Sequence, residues 1–253
     1  MTEFPLQGLH IINTRPKHQA PAWSQPLRAM GATVSELPAI EIKAIKPNWE
    51  SSVLPLEQFD QLIFVSANAV HFFFLALTNQ QTLSDKTQVS AVGQQTAYQL
   101  EKFSVNASYP TMADSEHLLA MPHFQQVKNQ HILIIKGVGG RPLLAQTLRQ
   151  RGAQVQQVNV YKRCCPKPMN NLDELWQDQQ ETIILITSTT AIDNLFHMMP
   201  DYHPQLLQTT WLAHSKRIAT YAMEKGVKHV IISDGEDLYN TLLNYQQGLG
   251  HDR

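Results

Sequence analysis

Residues 10–40, HIINTRPKHQAPAWSQPLRAMGATVSELPAI, align without a gap to residues 131–161, HILIIKGVGGRPLLAQTLRQRGAQVQQVNVY, which lie 121 positions further along the chain. Identical residues include the pairs His10/His131, Pro21/Pro142, Gln25/Gln146, Leu27/Leu148, Arg28/Arg149, Gly31/Gly152, Ala32/Ala153 and Val34/Val155. After a slip of one residue the alignment continues, with Ile63–Ser66 on Leu185–Ser188. We interpret this pattern as an internal duplication. It predicts two half-molecules with a cleft between them, where ligands often bind.

The repeated stretch has the pattern of a strand, a helix and a second strand. The apolar run 9–14 predicts a strand, and apolar residues then recur at steps of three and four from Ala22 to Met30, which predicts a helix. Gly31 stands where a helix cap is expected. The continuous apolar run 62–66 is typical of a parallel strand buried on both faces. Strands that alternate with helices predict an α/β fold of two domains, each a parallel, flavodoxin-like sheet flanked by helices.

The composition of the chain disfavours several classes of protein. The formal net charge of the 253 residues is -1, so there is no excess of positive charge for binding nucleic acid or an acidic membrane. Hydrophobic residues make up 43% and charged residues 16%, which is ordinary for a globular protein. The first residues lack a basic and an apolar region of a secretion signal, and no apolar run approaches the roughly 20 residues of a membrane span. We therefore expect a cytoplasmic protein.

Several common catalytic and cofactor motifs are missing from the sequence. Cys164 and Cys165 are adjacent, which rarely suits a disulfide, and both are expected to be structural. The 11 histidines show no H-E-x-x-H spacing and there is no C-x-x-C, so no metal is expected. Without G-x-S-x-G, an acyl-transfer triad has no support. The sequence KGVGGR at 136–141 matches neither G-x-G-x-x-G nor the Walker pattern, which disfavours nucleotide binding.

Candidate binding residues follow from the predicted topology. Ligands of open parallel sheets bind beyond the carboxyl ends of the strands. In this chain those positions combine small or hydroxylated residues at helix starts with a few cations. Helix N-termini offer free N–H groups and partial positive charge, so several of them together suit a polyanion. Each serine, threonine or asparagine can also be an ordinary helix cap that contributes about 1 kcal/mol. The candidates are Arg15, Ser66, Ala67, Asn68, Thr96, Lys136, Gly137, Arg141, Ser188, Ser215 and Arg217.

Tyr161 differs from these candidates in its position. It ends the second extended stretch of the repeat, where the first copy has Ile40. A tyrosine at a hinge between two halves can reach into a cleft, and it can equally serve in packing. The residues alone leave both roles open.

Taken together in their order, the motifs resemble those of the uroporphyrinogen-III synthase family over nearly the whole chain. Each motif is weak alone, but the ordered set is specific. In this family an arginine often stands at the position of Lys136; lysine keeps the charge but not bidentate carboxylate binding. The motifs are NTRP (13–16), GA (31–32), LPAIEI (37–42), FVSANAV (64–70), AVG (91–93), TA (96–97), SE (115–116), LL (118–119), KG (136–137), GGR (139–141), VYKR (160–163), ITS (186–188), Ser215, RIA (217–219) and SDG (233–235).

The resemblance implies an arrangement of domains that the repeat alone does not reveal. One domain, which is discontinuous, would combine residues 1–37 with residues 165–253, and the other would span residues 44–157. Residues 38–43 and 158–164 would form a two-stranded linker between them. The boundaries of the repeats and those of the domains would therefore differ.

The resemblance also implies a reaction. Hydroxymethylbilane, a linear tetrapyrrole with eight carboxylates, would lose water and close to uroporphyrinogen III, with inversion of ring D through a spiro intermediate. No cofactor would be needed, because the pyrrole nitrogens supply the electrons. Tyr161 would assist loss of the hydroxyl as a hydrogen-bond donor. For the candidate binding residues it is their placement at helix starts and strand ends, and not the resemblance, that suggests they hold the carboxylates. The expected partner is this small molecule, without nucleic acid or membrane; the protein would be a monomer that contacts the preceding enzyme of the pathway at most transiently.

Two other functions fit the same fold. The first is a two-lobed anion-binding protein of the periplasmic-receptor kind, which the missing secretion signal disfavours. The second is a nucleotide-dependent α/β enzyme, which the missing fingerprint disfavours. Thermal shift distinguishes the latter, because nucleotide should stabilise such an enzyme.

Overall fold

The computed structural model describes residues 4–46, 55–77, 83–84, 86–169, 172–176, 181–233 and 238–251. The chain separates into two compact units, unit 1 with Met1–Glu41 and Cys164–Arg253, and unit 2 with Ile42–Arg163. Asp234 and Gly235, from the last motif of the resemblance, lie outside the described residues. None of the helices in the described part is long and apolar enough to cross a membrane.

Strands and helices alternate through both units. The strands in the described ranges are β1 (Leu9–Asn13), β2 (Thr33–Glu36), β3 (Glu41–Ala44), β4 (Gln61–Phe64), β5 (Gln88–Ala91), β6 (His131–Gly137), β7 (Gln154–Cys164), β8 (Glu181–Ile186), β9 (Thr210–Ala213) and β10 (His229–Ile232). The helices are α1 (Pro21–Ala29), α2 (Ala67–Ala76), α3 (Gln94–Glu101), α4 (Ser115–Ala120), α5 (Leu143–Gln150), α6 (Thr189–Met198), α7 (His203–Gln208), α8 (Lys216–Glu224) and α9 (Leu238–His251). Short 3-10 turns span Leu56–Gln58, Pro122–Phe124, Asp173–Trp176 and Pro200–Tyr202.

Each unit is built on one five-stranded sheet. The order in unit 1 is β10-β9-β8-β1-β2, and all four neighbouring pairs are parallel. The order in unit 2 is β3-β7-β6-β4-β5, with parallel pairing from β7 to β5. The predicted α/β architecture of parallel sheets flanked by helices is confirmed. Residues 158–164, which the resemblance assigns to a linker, form the second part of β7.

The two sheets share their order when strands are matched by the sequence repeat. The run β9-β8-β1-β2 in unit 1 corresponds to β5-β4-β6-β7 in unit 2. Adding 122 to the bounds of α2, 67–76, gives those of α6, 189–198. The same step takes β5, 88–91, onto β9, 210–213. Each sheet therefore combines strands from both repeats.

The turn after the repeated helix explains why some residues recur. Gly31 after α1 and Gly152 after α5 have φ of +93° and +88°, in the left-handed region that favours glycine. The guanidinium of Arg28 donates to the Val34 carbonyl at 2.8 Å, and that of Arg149 donates to the Val155 carbonyl at 2.9 Å. In both aligned segments, an arginine at the equivalent position thus joins the end of the helix to the following strand.

Helices cover both faces of each sheet. Successive residues of a central strand point to opposite faces, so each packs against a different pair of helices. In unit 1, Ile12 packs in the cluster with α6 and α8, whereas Ile11 packs in the one with α1 and α9. In unit 2, Phe64 lies in the cluster with α2 and α3, and Ile63 in the one with α4 and α5. All four side chains are fully buried, and burying each contributes about 1.5–3 kcal/mol. The predicted strand covered on both faces is therefore confirmed for residues 62–64, and it ends at Phe64, two residues before the predicted end.

A histidine in unit 2 makes stability depend on pH. The Nε2 atom of His123 lies 3.1 Å from the Ser90 hydroxyl, and burial lowers the pKa of the His123 imidazole below its usual 6.5. The unfolded chain therefore binds this proton more readily than the folded chain. We expect the free energy of unfolding to fall as the pH drops below about 6.5.

Chemical denaturation between pH 5 and pH 8 measures this effect. The variant His123→Gln keeps a polar side chain without the titration, so its curve should be flatter in that window. An unchanged slope in the variant would assign the pH dependence to other groups.

Candidate functional site

Unit 2 contains a cavity of about 200 Å³ that is lined by residues just after β4, in β6 and the loop after it, and in β7. Ser66 and Tyr161 line it, together with the cations Lys136, Arg141 and Arg163. Its described lining residues include no carboxylate. Since the net charge of the whole chain is -1, this positive character is local. The cavity is thus suited to a negatively charged ligand.

A β-bulge sets the direction of the Tyr161 side chain. Along the pairing of β6 with β7, Lys136 faces Asn159 but the next residue, Gly137, faces Tyr161. Val160 is therefore the extra residue of the bulge, and it is buried in the same cluster as Tyr161 although the two are sequence neighbours. A regular strand would place them on opposite faces. The N–H of Val138 donates to the Tyr161 carbonyl at 2.9 Å and holds the loop after β6 against the bulge.

The ring of Tyr161 is enclosed, and its exposed fraction is 4%. The Phe72 ring stacks on it with centroids 5.8 Å apart. On another side lies Gly137, where an added Cβ would come within 2.5 Å of the tyrosine Cζ. The phenolic oxygen lies 3.1 Å from the Ser66 hydroxyl. Tyr161 thus serves in packing through its ring, and it also lines the cavity of unit 2.

Ser66 is the residue before α2 and caps it. Its backbone is extended, with φ of -170°, and its Oγ accepts a hydrogen bond from the Ala69 N–H at 3.1 Å. Ala67 and Asn68 form the first turn of α2, and Asn68 is buried. Ala67 and Asn68 are not among the described residues that line the cavity.

The cations of the cavity have different partners. Lys136 Nζ donates to the Gln157 side chain at 3.4 Å. Arg141 makes two hydrogen bonds to the Glu116 carboxylate, at 2.8 and 3.2 Å. Arg141 is 64% exposed and Glu116 51%, and exposed ion pairs contribute little to stability. A ligand carboxylate can therefore replace Glu116 on Arg141 at small cost.

Thr96 lies apart from the cavity-lining residues that the structure describes. It is in the first turn of α3, its side chain is buried, and its N–H already donates to the Gly93 carbonyl at 3.0 Å. Gly137, by contrast, lines the cavity beside Tyr161.

The remaining candidates belong to unit 1. The Arg15 guanidinium, just after β1, lies 4.4 Å from the centroid of the Trp23 ring. Burial lowers the pKa of Arg15, and the Tyr239 phenol acts in the opposite direction. Ser188 caps α6 by accepting from the Ala191 N–H at 3.2 Å. The two others lie at the start of α8: Ser215 precedes the helix without a side-chain cap bond to its described residues, and Arg217 is exposed.

Sequence reasoning missed several residues around the cavity. Gln157 and Arg163 line it from β7. Arg163 stands two residues after Tyr161, so strand periodicity could have identified it, whereas the bulge at Val160 breaks that periodicity between Gln157 and Tyr161. Ser115 also lines it, at the start of α4. Glu116 pairs with Arg141, and Phe72 stacks on Tyr161. Both contacts join residues far apart in the sequence, so no local sequence pattern predicts them. Within the described ranges, no group of three or more His, Cys, Asp or Glu could hold a metal ion.

Comparison with known proteins identifies the family. The family model described as uroporphyrinogen-III synthase HemD matches residues 21–239. The uroporphyrinogen-III synthase of Salmonella typhimurium is 30% identical over 238 residues, covering 90% of this chain and 96% of that protein. That of Synechococcus elongatus is 36% identical over 213 residues, covering 79% of this chain and 78% of that protein.

Solved structures show the same fold. The crystal structure of uroporphyrinogen-III synthetase from Helicobacter pylori has a TM-score of 0.63 at 17% identity, covering 95% of this chain and 99% of that one. A mutant uroporphyrinogen III synthase from Thermus thermophilus has a TM-score of 0.60 at 19% identity, covering 96% of this chain and 99% of that one. With the family match over most of its length, this chain belongs to the uroporphyrinogen-III synthase family, the cyclising hydro-lyases of haem biosynthesis.

Proposed function

We propose that this protein converts hydroxymethylbilane into uroporphyrinogen III, with loss of one water, inversion of ring D and a spiro intermediate. The observation that carries the proposal is the Tyr161 phenol, which lines a cavity with three cations and, among the described lining residues, no carboxylate. The substrate has eight carboxylates and a hydroxyl that must leave. The cavity supplies positive charge for the former and a hydrogen-bond donor for the latter.

The size of the cavity indicates which part of the substrate it takes. Its volume of about 200 Å³ is below the roughly 300–1,000 Å³ of sites that enclose a drug-sized ligand. A linear tetrapyrrole is larger than a drug-sized ligand, so the whole substrate does not fit into this cavity. We therefore infer that the cavity holds the end of the tetrapyrrole that carries the hydroxymethyl group. The carboxylates next to that group would bind Lys136, Arg141 or Arg163.

In this proposal the protein assists departure of the hydroxyl and controls the shape of the substrate. The phenol of Tyr161 donates a hydrogen bond to the hydroxyl oxygen as the carbon–oxygen bond breaks and water leaves. Electrons from the adjacent pyrrole nitrogen form the new double bond of the azafulvene, and the N–H proton of that pyrrole is released. The hydroxyl and this proton together make up the water that is lost, so Tyr161 ends the step protonated and no cofactor takes part. Attack from the substituted carbon of ring D gives the spiro intermediate. Holding the chain in the required fold can contribute several kcal/mol.

We also propose that the two units arose by duplication of one half. Their matched strand orders and the paired roles of Arg28 and Arg149 support this.

We propose the domain bounds that the resemblance implies. One domain would combine residues 1–37 with residues 165–253, and the other would span residues 44–157. Residues 38–43 and 158–164 would join them. The residues that remain proposed as carboxylate contacts, besides the cations of the cavity, are Ala67, Asn68, Thr96, Gly137, Arg15, Ser188, Ser215 and Arg217. The protein would act as a cytoplasmic monomer.

Product analysis tests the proposed function. Purified protein is incubated with hydroxymethylbilane, and the products are oxidised and separated by isomer. We expect mainly the type III isomer, because the unaided reaction gives type I. Type I alone, at the rate of a protein-free control, would exclude the proposed activity.

A further inference from the structure

We propose that Ser66 is a positioning residue that directs the phenolic proton of Tyr161 into the cavity. This inference rests on the proposed function, since it concerns the loss of the substrate hydroxyl. Ser66 would do so by donating its own hydroxyl proton to the Tyr161 oxygen. Its role would thus be distinct from a direct contact with a substrate carboxylate.

The hydrogen-bonding capacity of the two hydroxyls leads to this assignment. The oxygens of Ser66 and Tyr161 lie 3.1 Å apart, and one proton can lie between them. If Tyr161 donates, its proton is engaged and cannot reach the substrate. If Ser66 donates, the tyrosine proton is free to turn towards the cavity. Only the second arrangement allows Tyr161 to donate to the leaving hydroxyl.

The helix cap favours this second arrangement. Ser66 Oγ already accepts from the Ala69 N–H at 3.1 Å, and a hydroxyl that accepts a hydrogen bond becomes a better donor. Ser66 also stands at the N-terminus of the ten-residue α2, where the helix dipole stabilises negative charge. As Tyr161 gives up its proton, its oxygen becomes negative and the hydrogen bond from Ser66 becomes stronger.

The enclosure of the Tyr161 ring makes Ser66 a fixed partner. Phe72 on one side and Gly137 on another hold the plane of the ring. Rotation about the ring axis leaves the phenolic oxygen in place, so the hydroxyl proton is the part that can turn. The proton direction is therefore set by the partners of the oxygen, of which Ser66 is one.

Unit 1 contains a matched control for the capping role. Ser188 stands 122 residues after Ser66 and caps α6 in the same way, through the Ala191 N–H at 3.2 Å. In the described part of the chain, Ser188 is hydrogen-bonded to no tyrosine. Ser188→Ala therefore measures the stability lost with such a cap alone.

Steady-state kinetics with hydroxymethylbilane test the proposal. We expect Ser66→Ala to lower kcat by about 10- to 100-fold, as for loss of a hydrogen bond to a charged group, with KM changed less than about threefold. Its decrease in Tm should equal that of Ser188→Ala plus a small further loss from the hydrogen bond to Tyr161. Ser66→Thr, which keeps the hydroxyl, should restore most of kcat. Ser66→Asp, which caps a helix but can only accept from Tyr161, should fold and lose kcat.

Introducing Ser66→Ala into the variant Tyr161→Phe distinguishes a positioning role of Ser66 from a purely structural one. Without the phenol, Ser66→Ala should lower kcat by less than about twofold. A full further loss in that background, or an unchanged kcat in Ser66→Ala or Ser66→Asp, would overturn the proposal. If the wild-type protein forms the type III isomer and these results fail, this inference fails alone. If it forms only type I, the proposed function fails and this inference with it.

Discussion

Replacing Tyr161 by phenylalanine is expected to lower kcat for hydroxymethylbilane by about 100- to 1,000-fold, within the roughly 100- to 10,000-fold that a general acid usually contributes. The substitution removes the phenolic oxygen that lies 3.1 Å from Ser66 and leaves the ring in place. Because the ring makes the packing contacts with Phe72 and Gly137, we expect KM and Tm to change little. The product that still forms should be enriched in the type I isomer, since spontaneous closure then competes.

The measurement is the rate of type III formation by the folded variant, with folding checked by circular dichroism and Tm. Tyr221→Phe is a suitable control, because the Tyr221 hydroxyl donates to the Asp193 carboxylate at 2.8 Å on the exposed side of unit 1. That variant should keep the wild-type rate. Wild-type kcat in Tyr161→Phe would show that the phenol takes no part in the reaction.

The repeat in the sequence predicted the strands and helices because each repeated element has its own local pattern. Apolar alternation, helix caps and glycine stops act over a few residues, and Gly31 and Gly152 do end their helices with positive φ. These signals placed Ser66 at a helix start, which the structure confirms. They placed Tyr161 at the end of its strand, but β7 continues to Cys164.

The meeting of these two residues could not be predicted in the same way. It depends on the bulge at Val160, one extra residue that turns the next side chain onto the same face. The aligned repeat has Ile40 opposite Tyr161 and carries no sign of the bulge. Likewise, the ion pair of Arg141 with Glu116 spans 25 positions and follows from the tertiary fold. Contacts of this kind are set by packing, so a single sequence does not reveal them.

Replacing Gly137 by alanine is expected to lower both stability and activity by crowding the Tyr161 ring. An added Cβ would lie 2.5 Å from Cζ and 2.7 and 2.9 Å from the two Cε atoms, closer than carbon atoms approach without displacement. The ring cannot turn away freely, because Phe72 stacks on it and its oxygen contacts Ser66. Overpacking of this kind costs about 1–3 kcal/mol of stability. We expect kcat to fall at least about tenfold, because the phenolic oxygen must leave its place beside Ser66.

Two further variants test whether the loss of stability in Gly137→Ala comes from crowding of the Tyr161 ring. Gly8→Ala is the control for backbone strain, since Gly8 has φ of +90° and nothing within 4 Å of an added Cβ. It should lower stability by about 1–2 kcal/mol and leave the rate of the folded protein unchanged. The second comparison introduces Gly137→Ala into the variant Tyr161→Leu, whose shorter side chain leaves room for the new methyl group. The decrease in the free energy of unfolding should then be smaller than in the wild-type background. An equal decrease in both backgrounds would mean that the Tyr161 ring does not limit the residue at position 137.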